Sequence, residues 1–301
     1  MLTGRFGIDI PQGGTTPGAG QQLVRFTSEA ERRGFTSLWV TDPQAPGALS
    51  PLETLSVAAV STSSASLGVA VLITPLRSPI HLARELATVD RLSDGRLIAG
   101  VGIGNDRAAP ARHGLTVNRR VTEFERGIVL LRELLEQQTA SSDGPWNLDQ
   151  ERRPLEPVQR PGPPIWFGAR TPPALERTAR LGDGFIGAGS MSTRDFETAL
   201  DLLRPHIEER PDFPIAKRVY LHVGAKTNAT WSAIRDWFGS HYGNPNLAEK
   251  VALCAEPGEV IDALTHLLGL GVQHLVLSPV LDDYDQMVAL SESVLPHVTA
   301  S

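Results

Sequence analysis

The sequence predicts an α/β fold, a (β/α)8 TIM barrel in one domain spanning 1–301, on three observations. Eight short apolar, β-rich runs recur along the chain, and most are followed by a longer amphipathic run. No internal repeat or low-complexity linker interrupts the series. With 301 residues, 41% of them hydrophobic, the chain can bury the core that such a series needs. Parallel strands require crossovers, crossovers are nearly always right-handed, and strand followed by helix eight times over closes into a barrel. A doubly wound sheet is the alternative arrangement of the same elements.

Taken in order, the first strand is RFGIDI (5–10), and the first helix covers 21–33 and stops at Gly34. TSLWVT (36–41) is the second strand, and Pro51 sits at the first-turn position of a helix over 51–64. LGVAVLI (67–73) and RLIAGVGI (96–103) flank a helix over 79–92. The clearest helix is 119–138, where Val121, Phe124, Ile128, Leu131 and Leu135 recur at steps of three and four. Residues 141–164 are rich in proline and polar groups and read as a surface connection on the face away from the strand C-termini, with a domain boundary as the alternative. Strands PIWFG (164–168), GFIGA (184–188), RVYLHVG (218–224) and VQHLVLS (272–278) follow. Helices over 172–181, 193–209, 257–269 and 284–296 lie between and after them.

Composition excludes several functions. A net charge of −6 gives no basic field to attract nucleic acid or an anionic membrane. No apolar run reaches the roughly 18 residues of a membrane span, and the N-terminus lacks the pattern of a signal peptide. The single cysteine, Cys254, allows no internal disulfide, fits a reducing compartment and reads as a small buried hydrophobe, so a cytoplasmic location is expected. The histidines are scattered with no ligand spacing such as HExxH, and no metal site is expected.

The stretch DRLSDGRLIAGVGIG (90–104) raises the question of a phosphate cradle. A dinucleotide fingerprint needs its glycines after the strand, at the turn into a helix. Gly100, Gly102 and Gly104 instead alternate with Ala99, Val101 and Ile103 within and at the end of the apolar run. They therefore share one strand face, where the missing side chains admit another group, and in a barrel that face points toward a ligand at the C-terminal mouth.

The segments 67–104, 163–186 and 256–279 together resemble the luciferase-like flavin and deazaflavin oxidoreductases, with TPLRSPIHLARELATVDRLSDGR as the specific signature. The resemblance covers nearly the whole chain. It implies a TIM barrel that binds FMN or coenzyme F420 at the strand C-termini, a non-prolyl cis peptide in the third strand, and a homodimer. In the family the third-strand bulge supports the central ring, and Ala70 and Val71 are the matching positions.

A flavin needs polar groups for its pyrimidine edge and N–H donors or cations for its phosphate. The strand ends that can supply them are Thr41 with Asp42, Thr74, Gly104 with Asn105, then Gly168, Ala169, Arg170 and Thr171, and Gly187, Ala188, Gly189 and Ser190. The phosphate is expected near GARTP, because a strand ends there just before a helix opened by Pro172, with GAGS (187–190) as the second candidate.

The sugar-dehydrogenase branch of the deazaflavin enzymes carries His after the second-strand Asp, a Trp soon after it, and Glu after the fourth strand. This chain has Pro43, no Trp in DPQAPGALS, and Asn105. Without a base for an alcohol proton, F420-dependent reduction of an activated C=C or C=N in a small-molecule substrate is the leading reading. An FMN-dependent monooxygenase fed by a separate reductase, and a barrel that binds without turnover, are the alternatives. Asp42, Asn105 and His113 are the candidate catalytic side chains. The substrate pocket is expected from loops 11–20, 43–50, 105–114 and 228–246. In the last of these, Trp231, Trp237, Phe238 and Tyr242 read either as a lid or as the packed face of a short helix.

Overall fold

Eight parallel strands close on themselves: β1 (Arg5–Asp9), β2 (Ser37–Val40), β3 (Ser66–Val69), β4 (Leu97–Gly102), β5 (Ile165–Gly168), β6 (Gly184–Gly187), β7 (Ile215–Val223) and β8 (His274–Pro279). β8 pairs with β7 on one side and with β1 on the other, with Phe6 opposite Leu275, which leaves the barrel without an open edge. The structure, a computed structural model, describes residues 5–13, 17–43, 46–113, 119–143 and 146–299. Of the loops expected to form the pocket, residues 14–16, 44–45 and 114 lie outside the described residues, as do 144–145 of the long connection.

The helices that cover the barrel are α1 (Ala19–Arg32), α2 (Pro51–Ser61), α3 (Pro79–Leu92), α4 (Arg120–Glu136), α5 (Pro172–Leu181), α6 (Thr193–Leu203), α7 (Asn228–Tyr242), α8 (Pro257–Gly269) and α9 (Asp283–Ala289). Four of them, α2, α3, α5 and α8, begin on a proline, whose fixed φ suits the first helical position. The helix expected over 193–209 stops at Leu203 and continues as a single tight turn. The one expected over 284–296 is α-helical only to Ala289 before a wider π turn.

Two elements depart from the sequence reading. Within the connection at 141–164, Thr139–Ser142 and Leu148–Arg152 form an antiparallel hairpin that alternating apolarity does not announce. An additional strand, Ala252–Ala255, pairs with the C-terminal half of β7 after α7, and Cys254 on it is buried.

The barrel interior is filled by Trp39, Ile98, Trp166, Ile186, Ala216 and Val276, with the two indoles 5.9 Å apart. Trp39 fits because its neighbour on β3 is Gly68, where a Cβ would lie 2.2 Å from the indole ring. The N-terminal face carries the last seven residues of the signature, 90–96. Buried Asp90 accepts N–H groups from Val158 (2.7 Å) and Gln159 (3.0 Å), and Arg96 donates to the carbonyls of Ala59, Thr62 and Ala65. That part of the signature holds the scaffold together at the end opposite the strand C-termini.

Among the described residues no helix is long and apolar enough to cross a membrane.

Candidate active site at the barrel mouth

β3 breaks where its sequence shows no turn. After Val69 the Ala70–Val71 peptide is cis, and the chain resumes as a two-residue strand, Leu72–Ile73, paired to Val101 and Gly102 of β4. The bulge is pinned from both sides: Ala70 donates its N–H to the Val40 carbonyl at 2.8 Å, and Ile73 donates to Asp42 Oδ2 at 2.9 Å. Arg77 Nη2 takes the other Asp42 oxygen at 2.8 Å. Asp42, only 4% exposed, thus has both carboxylate oxygens engaged in holding the bulge.

This bulge answers the question of the glycines. A Cβ on Gly100 would lie 1.8 Å from the Val69 carbonyl oxygen, one on Gly102 would lie 2.6 Å from Val71 Cγ2, and one on Gly104, at φ 74°, would lie 2.8 Å from Ile73 Cγ2. The group admitted by the missing side chains is the protein's own third strand. The expectation that this glycine face opens directly on a ligand is corrected accordingly: Val71 and Ile73 fill it, and they carry the bulge toward the mouth.

Around the bulge the polar groups fall into two sets. Gln12 clamps Thr41, accepting from its N–H at 2.8 Å and donating to its carbonyl at 3.0 Å. On the other side, Arg120 at the start of α4 donates to the carbonyls of Ile103 and Gly104, capping the end of β4. Thr74 Oγ1 is buried and has no hydrogen-bond partner among the described residues. Asn105 is exposed on the rim, and exposed His113 follows the short helix Ala109–Arg112, so the structure gives neither of them a fixed contact with the bulge.

The β5 and β6 ends lie side by side. Gly168 faces Val71, with a Cβ position 3.1 Å from Val71 Cγ1, followed by buried Ala169 and exposed Arg170 and Thr171. Helix α5 opens on two prolines, Pro172 and Pro173, so its first turn offers fewer N–H groups than a helix start normally does. Arg170, 60% exposed, lies 3.6 Å from Asp195 in the first turn of α6, which brings the two phosphate candidates together. In the second, Gly187 and Gly189 pack against Phe196 and Tyr220, with half-buried Ala188 and Ser190 beside them. The backbone N–H groups of Arg170, Thr171, Gly189 and Ser190 find no backbone or side-chain acceptor among the described residues.

Sequence reasoning missed the sector between β7, β8 and β1. Arg218 reaches across β8 to Asp9 on β1, and Ser278 on β8 bridges them, accepting from Arg218 Nε at 2.8 Å and donating to Asp9 Oδ2 at 2.6 Å. Burial works against the Arg218 charge, yet Asp9 holds its pKa above the ordinary value. The guanidinium also lies 4.7 Å from the Tyr220 ring centroid, and the Tyr220 and Tyr242 hydroxyls are hydrogen-bonded at 2.5 Å. Asp283, at the start of α9, is pushed up to about 6 by burial, with the charges of Asp9 and Asp282 adding to it. Burial pulls the pKa of His222 down, and its Nδ1 has no partner among the described residues. The available signal was the polar alternation Arg218, Tyr220, His222 in a strand whose remaining residues, Lys217 apart, are apolar. In a closed barrel such a period-two polar face lines the interior.

The aromatic residues of 228–246 resolve toward packing. Phe238 is buried, and Tyr220 lies within 5.2–6.1 Å of the rings of Trp237, Phe238 and Tyr242. Among the described residues no group of three or more His, Cys, Asp or Glu side chains is placed to hold a metal ion.

The sequence profile of the luciferase-like monooxygenases matches residues 5–274. The chain is 25% identical over 325 residues to an F420-dependent glucose-6-phosphate dehydrogenase of Intrasporangium calvum, covering 92% of this chain and 94% of the relative. Its fold is similar to that of an F420-dependent secondary alcohol dehydrogenase bound to an F420-acetone adduct, with a TM-score of 0.83 at 18% identity over 99% of both chains. A monooxygenase from Streptomyces bottropensis superimposes with a TM-score of 0.80 at 22% identity, over 97% of this chain and 99% of the other.

Proposed function

The chain belongs to the luciferase-like monooxygenase family, and on that premise we propose that it is an oxidoreductase dependent on coenzyme F420, reducing an activated C=C or C=N in a small organic substrate. The observation that carries the reading is the bulge between Val69 and Ile73, pinned by Asp42 beside a strand of glycines, with the buried Thr74 hydroxyl left without a partner next to it among the described residues. A flat ring needs such a ledge and a nearby donor. Ala70 and Val71 would support the ring, Thr41, Thr74, Gly104 and Asn105 would meet its polar edge, and Arg170, Thr171, Gly189 and Ser190 would take the phosphate. Gly168, Ala169, Gly187 and Ala188 form the backbone that presents those four. The unpaired N–H groups of the two loops support this assignment. When bound in its reduced form, F420 supplies a hydride equivalent.

The protein's own groups then orient the acceptor, exclude water and hold a proton. Asp42 acts mainly by position, since Ile73 and Arg77 occupy its carboxylate. Asn105 and His113 sit on the rim where a substrate enters, and the His113 imidazole is the side chain there that would hand over a proton. Reduction is favoured over alcohol oxidation because Pro43 and Asn105 stand where the sugar-dehydrogenase branch carries His and Glu, and the Asp42 carboxylate is taken up by Ile73 and Arg77. Residues 1–301 are read as one domain, forming a cytoplasmic homodimer whose spent cofactor is restored by a separate reductase.

The test is a titration of the purified protein with F420 and with FMN, followed by mixing with reduced cofactor and a panel of α,β-unsaturated carbonyls and imines. Selective F420 binding with substrate-dependent reoxidation supports the reading. FMN binding with oxygen consumption replaces it by a monooxygenase, and binding without turnover on any acceptor replaces it by a non-catalytic barrel.

A further inference from the structure

Lys217 on β7 is one of three lysines in the chain and is 3% exposed. Its ammonium donates to the carbonyls of Ala188 (2.7 Å), Met191 (3.0 Å) and Arg218 (2.8 Å), which uses all three of its protons. The Phe196 ring lies 5.6 Å away. No carboxylate forms an ion pair with it among the described residues, and the charges that act on it are Arg218, which disfavours the cation, and Asp195, which favours it. Burying an ammonium without a carboxylate is costly, so the packing alone gives no reason for a lysine here.

The acceptors supply a reason. A trans peptide is planar, with its C=O and the following N–H pointing in opposite directions. With the Ala188 and Met191 carbonyls turned in to Lys217, the N–H groups of Gly189 and Ser192 are turned away from it. Neither has an acceptor among the described residues. The loop therefore presents donors on one side and stands over a positive charge on the other, the arrangement that attracts an anion. Burial, reinforced by Arg218, pulls the Lys217 pKa down to about 7, as expected for a charge held without a counter-ion.

We propose that Lys217 is a positioning residue for phosphate binding: it draws two carbonyls of the β6–α6 loop inward, so that the opposite N–H groups and its own unneutralised charge favour a phosphate on the loop. This rests on the reading of 187–190 as part of the cofactor site.

The experiment compares wild type with Lys217→Met, which keeps the length of the side chain and removes the donors and the charge. Amide exchange of the ligand-free proteins should be at least tenfold faster in the variant at Met191, whose N–H is bonded to the Ala188 carbonyl at 3.1 Å, and unchanged in β1 and β2. Affinity for F420 should fall tenfold or more, while affinity for its phosphate-free deazaflavin riboside stays within twofold, a split that a general packing role would not produce. Equal loss for both ligands, or unchanged F420 affinity in a variant that melts like wild type, overturns the role of Lys217 and leaves the functional reading standing. If wild type binds neither F420 nor FMN, the functional reading fails, and the phosphate role falls with it.

Discussion

Asp42 Oδ2 accepts the backbone N–H of Ile73 at 2.9 Å, across the break in the third strand. A side chain at the end of β2 thereby holds the far side of the bulge on which the proposed ring site depends. Asp42→Ala should cost about 3 kcal/mol, because it leaves the Ile73 N–H and the Arg77 guanidinium without their acceptor. Asp42→Asn should cost less, since its amide oxygen can still accept one bond. Thermal melts measure the stability. The ordering of cofactor affinity, wild type above Asn above Ala, checks whether the bulge is what binding needs.

Gly100→Ala should be among the most damaging single-methyl additions in the barrel. Its Cβ would fall 1.8 Å from a backbone oxygen that cannot move without shifting β3, so a loss of about 3 kcal/mol or more is expected. Gly102→Ala meets a methyl of Val71 at 2.6 Å and should cost less stability while still displacing the bulge. Denaturant midpoints with cofactor titrations separate the two. Equal, small effects from both would mean the glycines are not holding room for the bulge.

The eight barrel strands were legible because short apolar runs bounded by turn residues and proline-opened helices leave little choice of register. The bounds of the helices at 79–92, 172–181 and 257–269 coincide with the reading. The break at Ala70 was not legible from the residues, since LGVAVLI is uninterrupted apolar sequence and carries no turn signal. Only the family resemblance implied the cis peptide. The hairpin at 139–152 was hidden because its strands are polar and half exposed, so their side chains report solvent and not pairing. At the mouth, attention to strand ends found Thr41, Asp42 and the two glycine loops but passed over Lys217 and Arg218. A charged pair inside a strand reads as exposed until the barrel closes around it.

Glu31, in the last turn of α1, gives the fold a titratable tie. Its carboxylate accepts N–H groups from Ser64 (2.7 Å), Ala65 (2.7 Å) and Ser63 (3.0 Å), joining α1 to the turn before β3. Burial pushes its pKa up, but those backbone donors prevail and hold it down at about 2. A carboxylate with a depressed folded pKa stabilises fully above its unfolded value of 4.5 and loses that contribution as pH falls toward 2. Glu31→Gln should therefore lower stability by about 1–2 kcal/mol at pH 7, discounted for partial exposure, and the gap should shrink between pH 4.5 and 2. Melts of both proteins across that range test it, and a gap independent of pH would remove the carboxylate from the account.

Arg170 and Asp195 make opposite predictions for the same site. Their side chains are 60% and 52% exposed and 3.6 Å apart, so as an ion pair they add little to stability. If the loops at 168–171 and 187–190 receive the cofactor phosphate, Arg170→Ala removes a charge-assisted contact of about 1.5–3 kcal/mol, a weakening of roughly tenfold to a hundredfold or more. Asp195→Asn removes a negative charge from the same edge and releases the guanidinium, so it should tighten phosphate binding several-fold. It should also lose about 0.3–1 kcal/mol of helix stability, because Asp195 lies in the first turn of α6. Titrations of both variants with F420 at two salt concentrations read the effect, and screening should shrink both changes. Weakening by both substitutions would point to a structural role for the pair, and no change in either would move the phosphate away from this edge of the barrel.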